Sequence, residues 1–211
     1  MPTEISQDAI DLIIEEEVSS EATYRRLYEH PTWPGVRSGP TVGIGYDLGQ
    51  TNAAVIRKDW SPHLPADMVT AMVSVAGIHG TPGQAATARI RNKVQVPWET
   101  AEEVFLARDV PRWIAIVRAH LANTDELGPD CLGALVSLTF NRGPSFDEDG
   151  PRYREMRAIK ACMAAGNFAA IPAELRLMKR IWPNKSERGL VLRREHEAQL
   201  FERGLKAVLT S

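Results

Sequence analysis

The stretch Gly39-Pro40-Thr41-Val42-Gly43-Ile44-Gly45-Tyr46-Asp47-Leu48-Gly49 constrains this chain most. It sets β-branched and aromatic residues against glycines in alternation, within a sequence whose other periodicities are helical. From Thr41 to Asp47 the alternation predicts one strand with close backbone approach. Side chains alternate faces along a strand. Thr41, Gly43, Gly45 and Asp47 then share one face, and apolar Val42, Ile44 and Tyr46 share the other. The first face is a hydroxyl, two bare positions and a carboxylate, which leaves room for a ligand. A tight sheet turn, with its glycines serving backbone geometry, fits the same residues.

Around this stretch the chain reads as helix. Ser6 to Val18 is predicted helical, with Ser6 as N-cap and Asp8 in the first turn. Ala22 to Glu29 fits a short helix or an irregular strand, and Pro31 to Gly35 a loop. Residues 53 to 96 read as helix broken at Pro62, Pro65, Gly77, Gly80 and Pro82-Gly83. Trp98 opens a long helix, resumed from Val110 to Leu121 after a break at Pro111. Asp130 to Phe140 reads as a central apolar helix ended by Gly143-Pro144-Ser145. Helices at Tyr153 to Ala165, Ile171 to Ile181 and Glu187 to Leu205 complete the pattern.

The first helix ends in three acids, Glu15-Glu16-Glu17. Ile10, Ile13 and Ile14 form an apolar stripe, and its i+7 position is Glu17. Glu15 and Glu16 are expected to point to solvent. A carboxyl on a core-facing stripe is desolvated, which raises its pKa and suits a general acid near neutral pH. The alternative is a Glu17 that merely frays at the helix end.

With 211 residues, the chain suits one domain of ordinary size or one domain with an insertion. A net charge of -2 argues for neither a nucleic-acid nor a membrane partner, so any basic patch must be local. Scattered histidines and the absence of HExxH or CxxC spacing predict no metal and no cofactor. Cys131 and Cys162 read as reduced thiols. No basic-then-apolar leader or spanning segment is visible, which predicts a product made soluble in the cytoplasm.

Several ordered motifs carry a family resemblance. Leu12-Ile13-Ile14-Glu15-Glu16-Glu17-Val18, followed by Tyr24, resembles the phage-type lysozymes, the T-even and lambdoid endolysins of glycoside hydrolase family 24. Thr41-Val42-Gly43-Ile44-Gly45-Tyr46 is similar to that family's Thr-Ile-Gly-x-Gly-His strand. Trp98 to Val110, Ala134 to Gly143 and Gly189 to Glu197 resemble three of its later motifs. Residues 53 to 96 match nothing in it and read as a helical insertion.

The resemblance implies an α+β, lysozyme-like fold, mainly helical, with a small β-bearing lobe near the N-terminus and a single domain over residues 1 to 211. It implies a muramidase acting on bacterial peptidoglycan, cleaving the β-1,4 bond between N-acetylmuramic acid and N-acetylglucosamine. Glu17 falls at the family's general acid and Thr41 at its active-site threonine. The family's aspartate before the threonine is missing, since residues 33 to 40 contain no acid. Asp47 is expected to take over its role; a turn-capping Asp47, or Glu29 reaching in, are the rivals. Asn141, where the central helix ends, is expected to face the sugar. Arg188 falls where the family often pairs an arginine with its glutamate; a solvated helix-start arginine is the bland reading. The implied setting is a phage or prophage endolysin released from the host cytoplasm to the periplasmic wall with a holin as functional partner. A delivered antibacterial effector, a virion-associated lysozyme and a non-catalytic glycan-binding protein are the alternatives.

Overall fold

The structure, a computed structural model, describes residues 4–35 and 37–209. It is mostly helical with one two-stranded antiparallel sheet, a mainly helical α+β arrangement. The chain divides into two compact units: residues 1–16 with 110–211, and residues 17–109. Helix α1 (Gln7–Val18) contributes to both. No helix among the described residues is long and apolar enough to cross a membrane.

The first unit is built on α8 (Pro129–Arg142), in which Cys131 to Thr139 are all buried. A helix buried on every side is a core element rather than an amphipathic one. Ala9 of α1 lies so close to α8 that a Cβ on Gly133 would stand 2.2 Å from the Ala9 Cβ. Only a bare position permits that approach. Ser6 caps α1, its hydroxyl accepting the Ala9 N–H at 3.2 Å. Helix α11 (Arg188–Leu209) packs along α8, and Gly204 admits the Cys131 side chain. Burying a ring the size of Phe201 contributes about 2–3 kcal/mol to this packing. α7 (Val110–His120), α9 (Arg154–Ala164) and α10 (Ile171–Leu177) complete the unit. Gly143, at φ +70°, ends α8 as expected.

The second unit holds α2 (Glu21–Leu27), capped by Ser20, and the sheet β1 (Thr41–Val42) and β2 (Tyr46–Asp47). The single strand expected over residues 41 to 47 is instead a hairpin, pairing Thr41 with Asp47 and Val42 with Tyr46. Gly43 and Gly45 turn the chain at φ +57° and +76°, values that L side chains rarely adopt. The alternation that mimics a strand is thus two short arms and a turn.

Residues 53 to 96 form α3 (Ala53–Trp60), α4 (Ala66–Val73) and α5 (Thr81–Ile90). Pro82 and Gly83 lie inside α5 rather than breaking the chain, because proline is tolerated in a helix's first turn. α6 (Trp98–Val104) runs into a π-helical turn at residues 105–109, so the expected break falls before Pro111 rather than at it.

Candidate functional site

The hairpin is held by backbone contacts as well as by its buried Val42, Ile44, Tyr46 and Leu48 side chains. Thr32 bridges Thr41 on the side opposite Asp47, with reciprocal N–H to C=O bonds of 2.9 and 2.8 Å. Leu48 N–H reaches Pro40 C=O at 2.9 Å. Gly39 and Gly49 touch: a Cβ on Gly39 would lie 2.5 Å from both the Gly49 Cα and the Ile78 carbonyl oxygen. The Gly77 N–H donates to Leu48 C=O and the Gly80 N–H to Ser38 C=O, each at 3.1 Å. The segment that reads as an insertion therefore buttresses the hairpin with its own backbone.

Thr41 and Asp47 are directly opposite across the sheet, so they share a face, as expected. They do so as cross-strand partners, not as alternate positions on one strand. Both are half-buried. The Thr41 hydroxyl donates to Gly39 C=O at 3.3 Å. The Asp47 carboxylate is held by two backbone N–H groups. Oδ1 accepts the Gly49 N–H at 2.8 Å and the Gly39 N–H at 3.0 Å, and Oδ2 lies 3.2 Å from the same Gly39 nitrogen. The Gly49 bond is the turn-capping alternative, with Asp47 capping the short 3-10 turn at Leu48–Gln50, and the Gly39 bond ties in the segment leading to β1. In the turn, a Cβ on Gly43 would meet the Trp60 ring at 3.1 Å, whereas Gly45 is exposed.

On the other face, Tyr46 is buried and stacks edge-on to Trp60, with centroids 5.2 Å apart. Its hydroxyl donates to Asp59 at 2.9 Å, and Arg108 lies over its ring at 4.2 Å. Burial, and then the Asp59 bond, push the phenol well above its ordinary pKa, so it stays a neutral donor. Arg108 sits in the π-helical turn and joins Asp59 to Asp109 through its guanidinium. Glu29, the rival carboxylate, accepts from Gln95 at 2.9 Å and pairs with Arg25 at 3.5 Å.

Glu17 is half-buried in the last turn of α1, while Ile10, Ile13 and Ile14 are buried and Glu15 is exposed. Glu16 departs from expectation. It does not point into solvent; its carboxylate meets the His196 imidazole at 3.1 Å. An isolated helix pattern cannot foresee a residue of α11 lying over that face.

Asn141, half-buried in the last turn of α8, accepts from Arg194 at 3.3 Å. Phe140, the neighbouring residue, is half-buried and packs on Trp113 with centroids 5.2 Å apart. Arg188 is exposed at the first position of α11, the geometry of the bland reading.

The first unit also contains a buried ionic cluster that the sequence reading passed over. Arg193, Arg194 and Glu197 are 2%, 0% and 0% exposed. Glu197 Oε1 accepts from Ser137 at 2.7 Å, from Arg194 at 2.8 Å and from Arg193 at 3.3 Å. Arg193 also donates to Ser137 C=O at 3.1 Å. Burial raises the Glu197 pKa, and the two guanidiniums work against that rise. The signal in the sequence is the i, i+3, i+4 spacing of two arginines and an acid beside Leu200 and Phe201.

Among the described residues no three His, Cys, Asp or Glu side chains gather as a metal site would need. No family model matches the chain, and no curated protein matches it.

Proposed function

We propose that the chain has a lysozyme-like fold and is a muramidase. It hydrolyses the β-1,4 bond between N-acetylmuramic acid and N-acetylglucosamine in bacterial peptidoglycan. The observation that carries this reading is the placement of Glu17. It is a half-buried carboxyl in the last turn of a helix whose Ile10, Ile13 and Ile14 are buried. In this reading Glu17 is the general acid that protonates the glycosidic oxygen. The hairpin follows with a half-buried hydroxyl at Thr41, which in this reading orients the attacking water.

Asp47 acts here as a positioning residue. Its carboxylate holds Gly39 and Gly49, and so fixes the arm that carries Thr41. Asn141 and Arg188 are assigned to substrate binding, Arg188 through its exposed charge. The biological setting in this reading is an endolysin released from the host cytoplasm by a holin.

A second reading, a non-catalytic glycan-binding protein, is favoured by one observation. The only carboxylate on the hairpin is committed to two backbone donors, Gly39 and Gly49, which favours a structural role over that of a base.

One experiment separates the two. Purified wild-type and Glu17→Gln proteins are incubated with isolated peptidoglycan, and new reducing ends and pelleted protein are both measured. The muramidase reading expects reducing ends that end in N-acetylmuramic acid from wild type, and at least ~10²-fold fewer from Glu17→Gln at an unchanged melting temperature. Co-sedimentation without reducing ends from wild type would establish the binding reading instead.

A further inference from the structure

The arginines of the first unit are not evenly balanced by acids. Glu155, which is fully buried, takes both Arg154 and Arg180. Glu197 takes both Arg193 and Arg194. Arg142, the last residue of α8, has no carboxylate of its own among the described residues. Its Nη2 donates to the Arg152 carbonyl at 2.9 Å. Its buried Nε–H meets no acceptor there.

Aromatic rings hold this guanidinium in place. It lies 5.6 Å from the Tyr153 ring centroid and 5.4 Å from that of Trp182; Arg194 lies 5.7 Å from the same Trp182 ring. Two cations therefore share one indole, and Arg152 adds a third charge close enough to be felt. Burial first, and then Arg152 and Arg194, bring the Arg142 pKa down to about 10, while Glu155, already shared, offsets little of it. Arg142 is half-buried and Arg152 is exposed, so the corner meets solvent. Arg142 and Arg152 thus stand together with no carboxylate paired to either among the described residues, a local positive spot on a chain of net negative charge.

We propose that the corner formed by Arg142, Arg152, Tyr153 and Trp182 is a binding site for an oxyanion, a carboxylate or a phosphate group. A planar guanidinium pinned between rings is pre-organised for either, because little side-chain entropy remains to be lost. The site does not depend on the glycosidase reading. A ligand bearing such a group would bind there whether or not the hairpin performs hydrolysis.

The test is a titration of the ¹⁵N-labelled full chain, followed by the Trp182 indole N–H resonance. Sodium acetate and sodium phosphate are added separately, each against sodium chloride at matched ionic strength. A saturable shift with one or both anions, absent with chloride, is expected; which anion saturates names the ligand class. Arg152→Gln should raise the midpoint concentration at least ~10-fold, the loss of one charge-assisted contact, with an unchanged melting temperature. Arg142→Gln should do at least as much. Because Arg152 is exposed, its variant keeps the test valid even where Arg142→Gln unfolds the corner. The proposal is overturned by shifts that merely track ionic strength, or by saturation that Arg152→Gln leaves unchanged.

Discussion

The hairpin of the second unit and the α8–α11 contact of the first solve the same problem in opposite ways. Each holds a carboxylate that must not be left unpaired. Asp47 is half-buried and satisfied by backbone N–H groups from residues close in sequence, Gly39 and Gly49. Glu197 is fully buried and is held through Oε1 alone by side chains, two guanidiniums and a hydroxyl from Ser137, 60 residues away, while its buried Oε2 meets no donor among the described residues. Backbone donors hold a turn in shape at little desolvation cost. Side-chain ion clusters pay heavy desolvation, and removing one member leaves the others buried and uncompensated.

The largest expected effect breaks the second arrangement. Glu197→Ala strands Arg193 and Arg194 beside a cavity and should cost about 3–5 kcal/mol, read as a fall in the urea midpoint at constant slope. A loss under 1 kcal/mol would mean that the cluster is hydrated and the contrast overstated.

Next comes the hairpin's backbone seam. Gly39→Ala places a Cβ against the Gly49 Cα and Ile78 oxygen and should cost about 1–3 kcal/mol, because backbone must move. Gly77→Ala, which meets no atom within 4 Å but sits at φ +74°, should cost about 1 kcal/mol. Equal losses would show that conformation, not contact, governs the seam.

Asp47→Asn sharpens the comparison further. It keeps one acceptor and loses the charge, so about 1 kcal/mol of stability should go, with a rate change well under the ~10²-fold expected of a general base. A large rate loss at unchanged melting temperature would return Asp47 to the catalytic role.

The smallest effect lies on the surface. Arg176 first, and then Lys179, hold the Glu195 carboxyl down at about 2. The folded pKa is depressed, so the pair's contribution is present above the ordinary glutamate value near 4.5 and fades as pH falls from there toward 2. Glu195→Gln should flatten the acid limb of a stability-versus-pH curve in that window, by under about 1 kcal/mol.

What was legible in the sequence follows the same division. The Ile10-Ile13-Ile14 stripe, the Ser6 cap and the Gly143 stop are local rules, and the structure obeys them. The buried α8 was readable because only Ser137 and Thr139 interrupt its run of apolar and small residues from Cys131 to Phe140. The hairpin was misread because two turn glycines two residues apart preserve strand parity. Thr41 and Asp47 face the same way under either geometry, so parity could not distinguish them. Glu16 and the Arg193–Arg194–Glu197 cluster were missed for a different reason. Charged residues are assigned to the surface unless a partner is known, and their partners, His196 and Ser137, lie far along the chain. Contacts of that separation leave no local periodicity, and the spacing of Arg193, Arg194 and Glu197 alone does not tell a buried cluster from an exposed helix face. The role of Glu17 came from its stripe and from resemblance, that of Asn141 from the end of the central helix and that of Arg188 from resemblance, and kinetics on variants is the measurement that reaches them.

The Gly39–Gly49–Ile78 seam bears on how this chain opens. Hydrogen bonds from Gly77 to Leu48 and from Gly80 to Ser38 join backbone to backbone with no side chain to loosen first. Segments tied in that way exchange their amide protons as one cooperative unit. The amides of Gly39, Thr41, Gly77 and Gly80 should therefore share one opening free energy. Residues 53 to 96 could then not be trimmed like an ornamental loop, because cutting them would release the hairpin in the same event.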